Sequence, residues 1–230
     1  MFVAARGGAG GKGNHFFISD TNTTPEVCEY GGEGEDISYS LELRSMAHVG
    51  FIGLPNAGKS TLLRAITRAK PKVASYPFTT LKPHLGIVHF DDYEQIAVAD
   101  LPGLIPGSHE NKGLGIQFLK HAERCNTLLF VIDASCDEPW NHYNILINEI
   151  GKFSEELIGR QKIVVANKMD LPEAQENIEL LRQNIDVPII EISAKMGTNV
   201  AKLLEEIRRH YDEQMLEKEQ QKEDTNWLNV

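Results

Sequence analysis

Residues 53–60, GLPNAGKS, set two glycines, a lysine and a serine in the spacing G-x-x-x-x-G-K-[ST], between the apolar run HVGFI and the helix-like TLLRAITRA. Strand, loop, helix is the context in which that spacing cradles phosphate. Gly53 and Gly58 let backbone N–H groups wrap the phosphates, and Lys59 reaches the β- and γ-phosphates. The Ser60 hydroxyl is an expected ligand of Mg2+. Leu54, Pro55, Asn56, Ala57 and Thr61 complete the stretch expected to touch the ligand. Further on, Asp100 ends another apolar run and is followed by Leu101, Pro102 and Gly103. Its carboxylate is placed to hold Mg2+ through water, and the Gly103 N–H to meet the γ-phosphate. Between the two motifs lies YPFTTLKP, a loop expected to close on the ligand through Phe78, Thr79 and Thr80, with the Thr80 hydroxyl favoured to complete the Mg2+ shell.

Two more motifs begin where strands are expected to end: Asn167, Lys168, Met169 and Asp170 after KIVVA, and Ser193, Ala194 and Lys195 after PIIEI. In a doubly wound sheet, ligands bind beyond the carboxyl ends of the strands, so all four loops can converge on one nucleotide. The Asp170 carboxylate can accept hydrogen bonds from guanine N1–H and the 2-amino group, a pair of donors that adenine lacks in that arrangement. Asn167 is expected to support the loops, Lys168 to lay its stem over the purine face and the Ala194 N–H to meet O6. A phosphotransferase using ATP would share the phosphate motif, but Asp170 opposes it, because a polar group left unpaired by the wrong base discriminates strongly.

The elements that must position these residues are short β-branched runs alternating with helical patterns, which predict an α/β domain with a mostly parallel sheet. Six strands are expected, at 49–53, 85–90, 95–100, 128–133, 163–167 and 188–192, with helices at 58–69, 114–124, 140–158, 173–184 and 198–212. The second and third strands are joined by DDYE, too short for a crossover helix, so that pair is expected to be antiparallel. Residues 6–34 hold eight glycines and little apolar periodicity; they form either a flexible tail or part of an unusual Gly-rich fold. The expected domains are 1–47, partly disordered; 48–212, the nucleotide-binding domain; and 213–230, a charged tail of disordered composition.

The formal charge is −10, and the acidity is concentrated in the flanks. Non-specific phosphate attraction therefore gains little, and any RNA-bearing partner has to be recognised by shape or through protein contacts. Three cysteines without C-x-x-C spacing disfavour a disulfide framework and a zinc site, and no transition metal is expected. The apolar run 128–132 stops at Asp133, well short of the roughly 20 residues that span a bilayer. No transit peptide is visible at the N-terminus.

The chain resembles the Obg family of GTPases in GLPNAGKS, YPFTTLKPHLGIV, ADLPGLIPG with GLGIQFLKHAERC after it, ANKMDLPEA and SAK. Upstream, GGAGGKGNHFF and LELRSMAHVGFIG resemble the closing part of that family's Gly-rich Obg domain. The resemblance implies a P-loop NTPase fold and Mg2+-dependent hydrolysis of GTP by a switch protein, with Lys59, Thr80 and Gly103 in the catalytic set. The family's Obg domain is much longer than residues 1–47, so only its end is expected here. ARGGAGGKGNHFF and SYPFTTLKPHLGIVHF are most similar to the mitochondrial ribosome-associated members. That implies a part in assembly of the mitochondrial large ribosomal subunit or in regulation of translation, through contact with its rRNA and protein. The implied location is the matrix, or peripherally the matrix face of the inner membrane. The alternative is a guanine-nucleotide sensor with little hydrolysis or ribosome docking.

In the best-known small GTPases a glutamine that orients water follows the D-x-x-G; here the residue is Leu104. Asn56 stands at the position where related glutamine-less GTPases hold K+ beside the phosphates, and it joins the catalytic set on that ground, although the same residue would also suit a plain loop turn. His109 and Glu110 are weaker candidates for placing water. Arg64, Arg68, Lys70 and Lys72 either touch rRNA or complement the first helix's C-terminal dipole.

Overall fold

The computed structural model describes residues 3–40, 46–67, 71–73, 83–101 and 120–227. Contacts divide the chain into two units, Met1–Leu43 and Arg44–Val230. Ala47, the boundary expected from the sequence, is the first residue of β1 (Ala47–Ile52).

In the second unit, β1 is followed by β2 (Lys72–Val73), β3 (His84–His89), β4 (Gln95–Asp100), β5 (Cys125–Asp133), β6 (Lys162–Asn167) and β7 (Ile189–Glu191). They form one sheet in the order β2-β3-β4-β1-β5-β6-β7. β1 pairs in parallel with β4 and β5, and β5-β6-β7 continue in parallel. β3 and β4 are antiparallel, as their short connection requires; Tyr93, at φ 66°, turns the chain between them. Among the described residues the sheet has seven strands where six were expected. The extra strand, β2, is a two-residue edge paired with His84 and Leu85, too short to leave a periodic signal.

Five helices are described: α1 (Lys59–Ile66), α2 (Pro139–Phe153), α3 (Glu155–Gly159), α4 (Pro172–Asn184) and α5 (Val200–Trp227). Leu128, Phe130 and Ile132 of β5 pack in one core with Leu146 and Ile150 of α2, Leu157 of α3 and Leu181 of α4. Leu129 and Val131 enter the other core, with Leu62 and Leu63 of α1 and Leu203 and Ile207 of α5. Both faces of β5 are thus covered, which explains its unbroken apolar run. None of the described helices is long and apolar enough to cross a membrane.

Two helical expectations change. The single helix read at 140–158 is broken at Ser154, whose extended backbone (φ −154°, ψ 120°) ends α2 and starts α3. The helix read as ending at 212 continues to Trp227, so the segment beyond it is not simply a frayed tail. Its Lys-, Glu- and Gln-rich composition is compatible with helix, and charge pairs Arg208–Asp212 and Arg209–Glu213 at i,i+4 favour it. Of the helix expected at 114–124, only 120–124 are described, with helix at 120–122.

The first unit takes the Gly-rich alternative. Backbone bonds join Glu29 N–H to Lys12 O (2.9 Å), Gly32 N–H to Ala9 O (2.7 Å) and Glu35 N–H to Arg6 O (2.9 Å). Each rung is three residues from the next on both segments, the repeat of polyproline-type chain and not of a β-strand. Such approach needs glycine: a Cβ on Gly8 would lie 1.8 Å from Gly32 O, and one on Gly11 2.0 Å from Glu29 O. The only helical turn among the unit's described residues is the 3-10 turn Asn14–Phe17.

Two outcomes are expected. Phe130→Ala, at a side chain with 0% exposure, should lower stability by about 3–5 kcal/mol in urea unfolding. Gly11→Ala should raise hydrogen exchange at the Glu29 amide towards that of an open chain while leaving the Phe130 core's melting unchanged.

Candidate nucleotide site

Where β1 ends, residues 53–58 turn into α1, and Gly58 makes the turn at φ 96°. A side chain there is excluded twice, since a Cβ would also lie 2.2 Å from Asn167 Nδ2. Lys59 donates from Nζ to Gly53 O (2.8 Å) and Leu54 O (3.0 Å). Burial pulls its pKa below the usual lysine value, and the Asp100 carboxylate partly offsets this. The ammonium is therefore parked on carbonyls of the loop it would serve.

Ser60 Oγ donates to Asp100 Oδ2 at 2.5 Å, while the other carboxylate oxygen, Oδ1, is buried with no hydrogen-bond partner among the described residues. Asp100 is only 2% exposed. A buried carboxylate oxygen without a donor is costly, and a cation that both Ser60 and Asp100 can face relieves that cost. The two residues therefore fit a hard divalent ion such as Mg2+, which takes oxygen ligands and retains water. Leu101, 1% exposed, follows Asp100 with its N–H on Phe51 O (3.3 Å). Phe78, Thr79, Thr80, Pro102, Gly103, Leu104, His109, Glu110, Arg68 and Lys70 lie outside the described residues. Arg64 is in α1 and Lys72 in β2, on different elements.

The loops after β6 and β7 meet the first loop through one side chain. Asn167 Nδ2 donates to Ala57 O (2.8 Å), and its Oδ1 accepts from Ala194 N–H (3.0 Å). The Ala194 N–H that was expected to meet guanine O6 is thus engaged with Asn167, because the buried amide oxygen needs a donor. Met169 N–H bonds Ile192 O (3.1 Å). Ser193 Oγ donates to Asp170 Oδ1 (2.7 Å) and accepts from Met196 N–H (3.1 Å). That hydroxyl bond, with minor help from Lys195 and Lys168, holds the exposed Asp170 carboxyl below its usual pKa, ionised as a double acceptor must be.

Lys168 turns at φ 68° and brings its Nζ to Asp133 Oδ2 at 2.5 Å. Asp133 Oδ1 accepts from Ser135 N–H (3.0 Å) and Ser135 Oγ (2.6 Å). Burial alone would raise the Asp133 pKa, but the bonds from Lys168 and Ser135 outweigh it and keep it low. Neither Asp133 nor Ser135 was singled out from the sequence. The available signal was a carboxylate closing an apolar run; its register opposite Asn167 appears only in the structure. Asn56, exposed, sits at φ 63°, a conformation asparagine tolerates better than most residues.

A family profile described as 50S ribosome-binding GTPase matches residues 48–168, and one described as GTP1/OBG matches residues 1–45. The Homo sapiens protein called mitochondrial ribosome-associated GTPase 2 is 52% identical over 211 residues, which cover 92% of this chain and 52% of that protein. GTPase Obg of Akkermansia muciniphila is 49% identical over 206 residues, covering 88% of this chain and 59% of that protein. The chain spans about half the length of the curated relatives it matches. Among solved structures, Aquifex aeolicus Era bound to GDP.AlF4- aligns at 26% identity and a TM-score of 0.55, over 71% of this chain and 56% of that one. The first profile covers more than half of the chain, including β1, α1, β4, β5 and β6 with the loop after β1, and the chain belongs to the 50S ribosome-binding GTPase family, with an Obg-type segment at its N-terminus.

Proposed function

We propose that this chain binds GTP with Mg2+, hydrolyses it slowly, and acts as a switch on the mitochondrial large ribosomal subunit, in its assembly or in regulation of translation. The observation that carries the nucleotide part is the buried Asp100 carboxylate, with one oxygen on Ser60 and the other unpartnered beside the loop that parks Lys59. Lys59 exchanges the carbonyls of Gly53 and Leu54 for phosphate oxygens. Bound Mg2+ neutralises charge on the β- and γ-phosphates. Ser60 would ligate that ion and Asp100 would hold it through water, with Thr80 and Gly103 as the proposed contacts to the γ-phosphate. Residues 53–61, Phe78, Thr79, Leu101 and Pro102 are the proposed remaining contacts on the phosphate side, and Met169, Ser193, Ala194 and Lys195 those on the base side. Asp170, kept ionised by Ser193, accepts from guanine N1–H and the 2-amino group.

The ribosomal part rests on the name of the human relative and on 52% identity to it, and the mitochondrial location has the same basis; the matrix, or peripherally the inner membrane, is our own further reading. Leu104 offers no hydrogen bond to water, so the missing stabilisation comes from K+ held by the Asn56 carboxamide, or from the partner. Because Asn56 is left-handed, Asn56→Ala would strain the loop as well as remove the amide, whereas Asn56→Gly keeps the turn.

Single-turnover GTP hydrolysis should be about tenfold faster in KCl than in NaCl at equal ionic strength, and Asn56→Gly should abolish the difference. Equal rates in both salts would remove the potassium role. Asp100→Asn should raise the Mg2+ concentration needed for half-maximal hydrolysis by roughly 10- to 100-fold in the same assay. The protein should cosediment with mitochondrial large subunits in a GTP-dependent manner; cosedimentation indifferent to nucleotide would contradict the switch.

A further inference from the structure

We propose that Asp133 is a positioning residue for the base site, clamping the head of Lys168 so that its stem is held ready as a wall of the purine slot. The proposal rests on the guanine reading of that site given above. A lysine side chain carries about 2 kcal/mol of rotamer freedom, which a wall residue must surrender each time a ligand binds. Here that freedom is already restricted. The left-handed turn at Lys168 brings the chain back across the end of β5, and the parallel register sets Asp133 opposite Asn167, one residue before Lys168.

The carboxylate is itself fixed. Both donors of Ser135 occupy Oδ1, which presents Oδ2 to the ammonium, and the Ala134 N–H bonds Asn167 O (3.1 Å) to lock the two strand ends together. Asn177 Nδ2 holds the same turn from α4, donating to Ala134 O and Cys136 O, each at 3.0 Å. The side chains of Asp133 and Lys168 are 17% and 33% exposed, so the pair is partly shielded from water and salt. Asp133 needs no contact with nucleotide to act; it acts through Lys168. Because the stem offers apolar surface and no hydrogen bond, the clamp favours any purine, while Asp170 alone distinguishes guanine from hypoxanthine.

The test is a double-mutant cycle on the full chain, read as dissociation constants for GDP and for inosine diphosphate, which lacks the 2-amino group. Asp133→Asn, which keeps the shape and loses the charge, should weaken both ligands by the same factor, roughly three- to tenfold, and leave their ratio unchanged. In a Lys168→Met background the same substitution should have no further effect. Ser135→Ala should give a smaller loss in the same direction, also absent in that background. An Asp133→Asn protein with wild-type affinity, or one whose loss persists without Lys168, would overturn the proposal. So would collapse of the ratio between the two ligands, since that means the whole base loop has moved. Failure of the wild-type chain to bind GDP would instead overturn the guanine reading itself, and the clamp with it.

Discussion

One buried carboxamide joins the separate parts of this site. Asn167 is 2% exposed and uses both ends of its side chain, the amide on Ala57 O and the oxygen on Ala194 N–H. The loops after β1, β6 and β7 are thereby one object. A carboxamide supplies a donor and an acceptor at that separation, asparagine holding it one methylene closer to the backbone than glutamine, and leaving either backbone partner unpaired costs about 1–3 kcal/mol. The same contact dictates Gly58, whose missing side chain is the space that Asn167 occupies.

The sheet explains why such a bridge is possible. β1 is central, and the chain runs from it to β3 and β4 on one side before crossing to β5, β6 and β7 on the other. Parallel strands put their carboxyl ends together, so Gly53, Asp100, Asp133 and Asn167 gather along one edge. Burial on both faces holds those ends rigid. Lys59 donates to carbonyls of its own loop, Ser60 to one oxygen of Asp100 and Lys168 to Asp133.

Much of this was legible in the sequence, for physical reasons. The parallel strands are apolar because they are covered on both sides, so each motif stood out as the polar residues that interrupt an apolar run. DDYE was too short to be anything but an antiparallel connection. What escaped depended on contacts distant in sequence. Nothing local shows that the Ala194 N–H meets an amide 27 residues away. Asp133 looked like a strand end, since nothing local shows that Lys168 turns back to meet it. The two-residue β2 carries no period, and the break at Ser154 interrupts a pattern that would equally support one continuous helix. The glycines of residues 8 and 11 read equally as a flexible tail or as part of a Gly-rich fold, because their role is close approach to a chain some 20 residues on, about the distance at which local patterns lose force.

The account's central claim is that Asn167 makes the phosphate and base loops one binding unit. The most direct measurement is GDP affinity of the Asn167→Asp protein beside the wild type, with urea unfolding of both to confirm the fold. The substitution keeps the shape and the acceptor for Ala194 but turns the donor towards Ala57 O into a second acceptor. The account predicts affinity lower by roughly 10- to 100-fold in a protein that still unfolds cooperatively. Affinity within about threefold of wild type would mean that the loops hold their places without the bridge, and would contradict it.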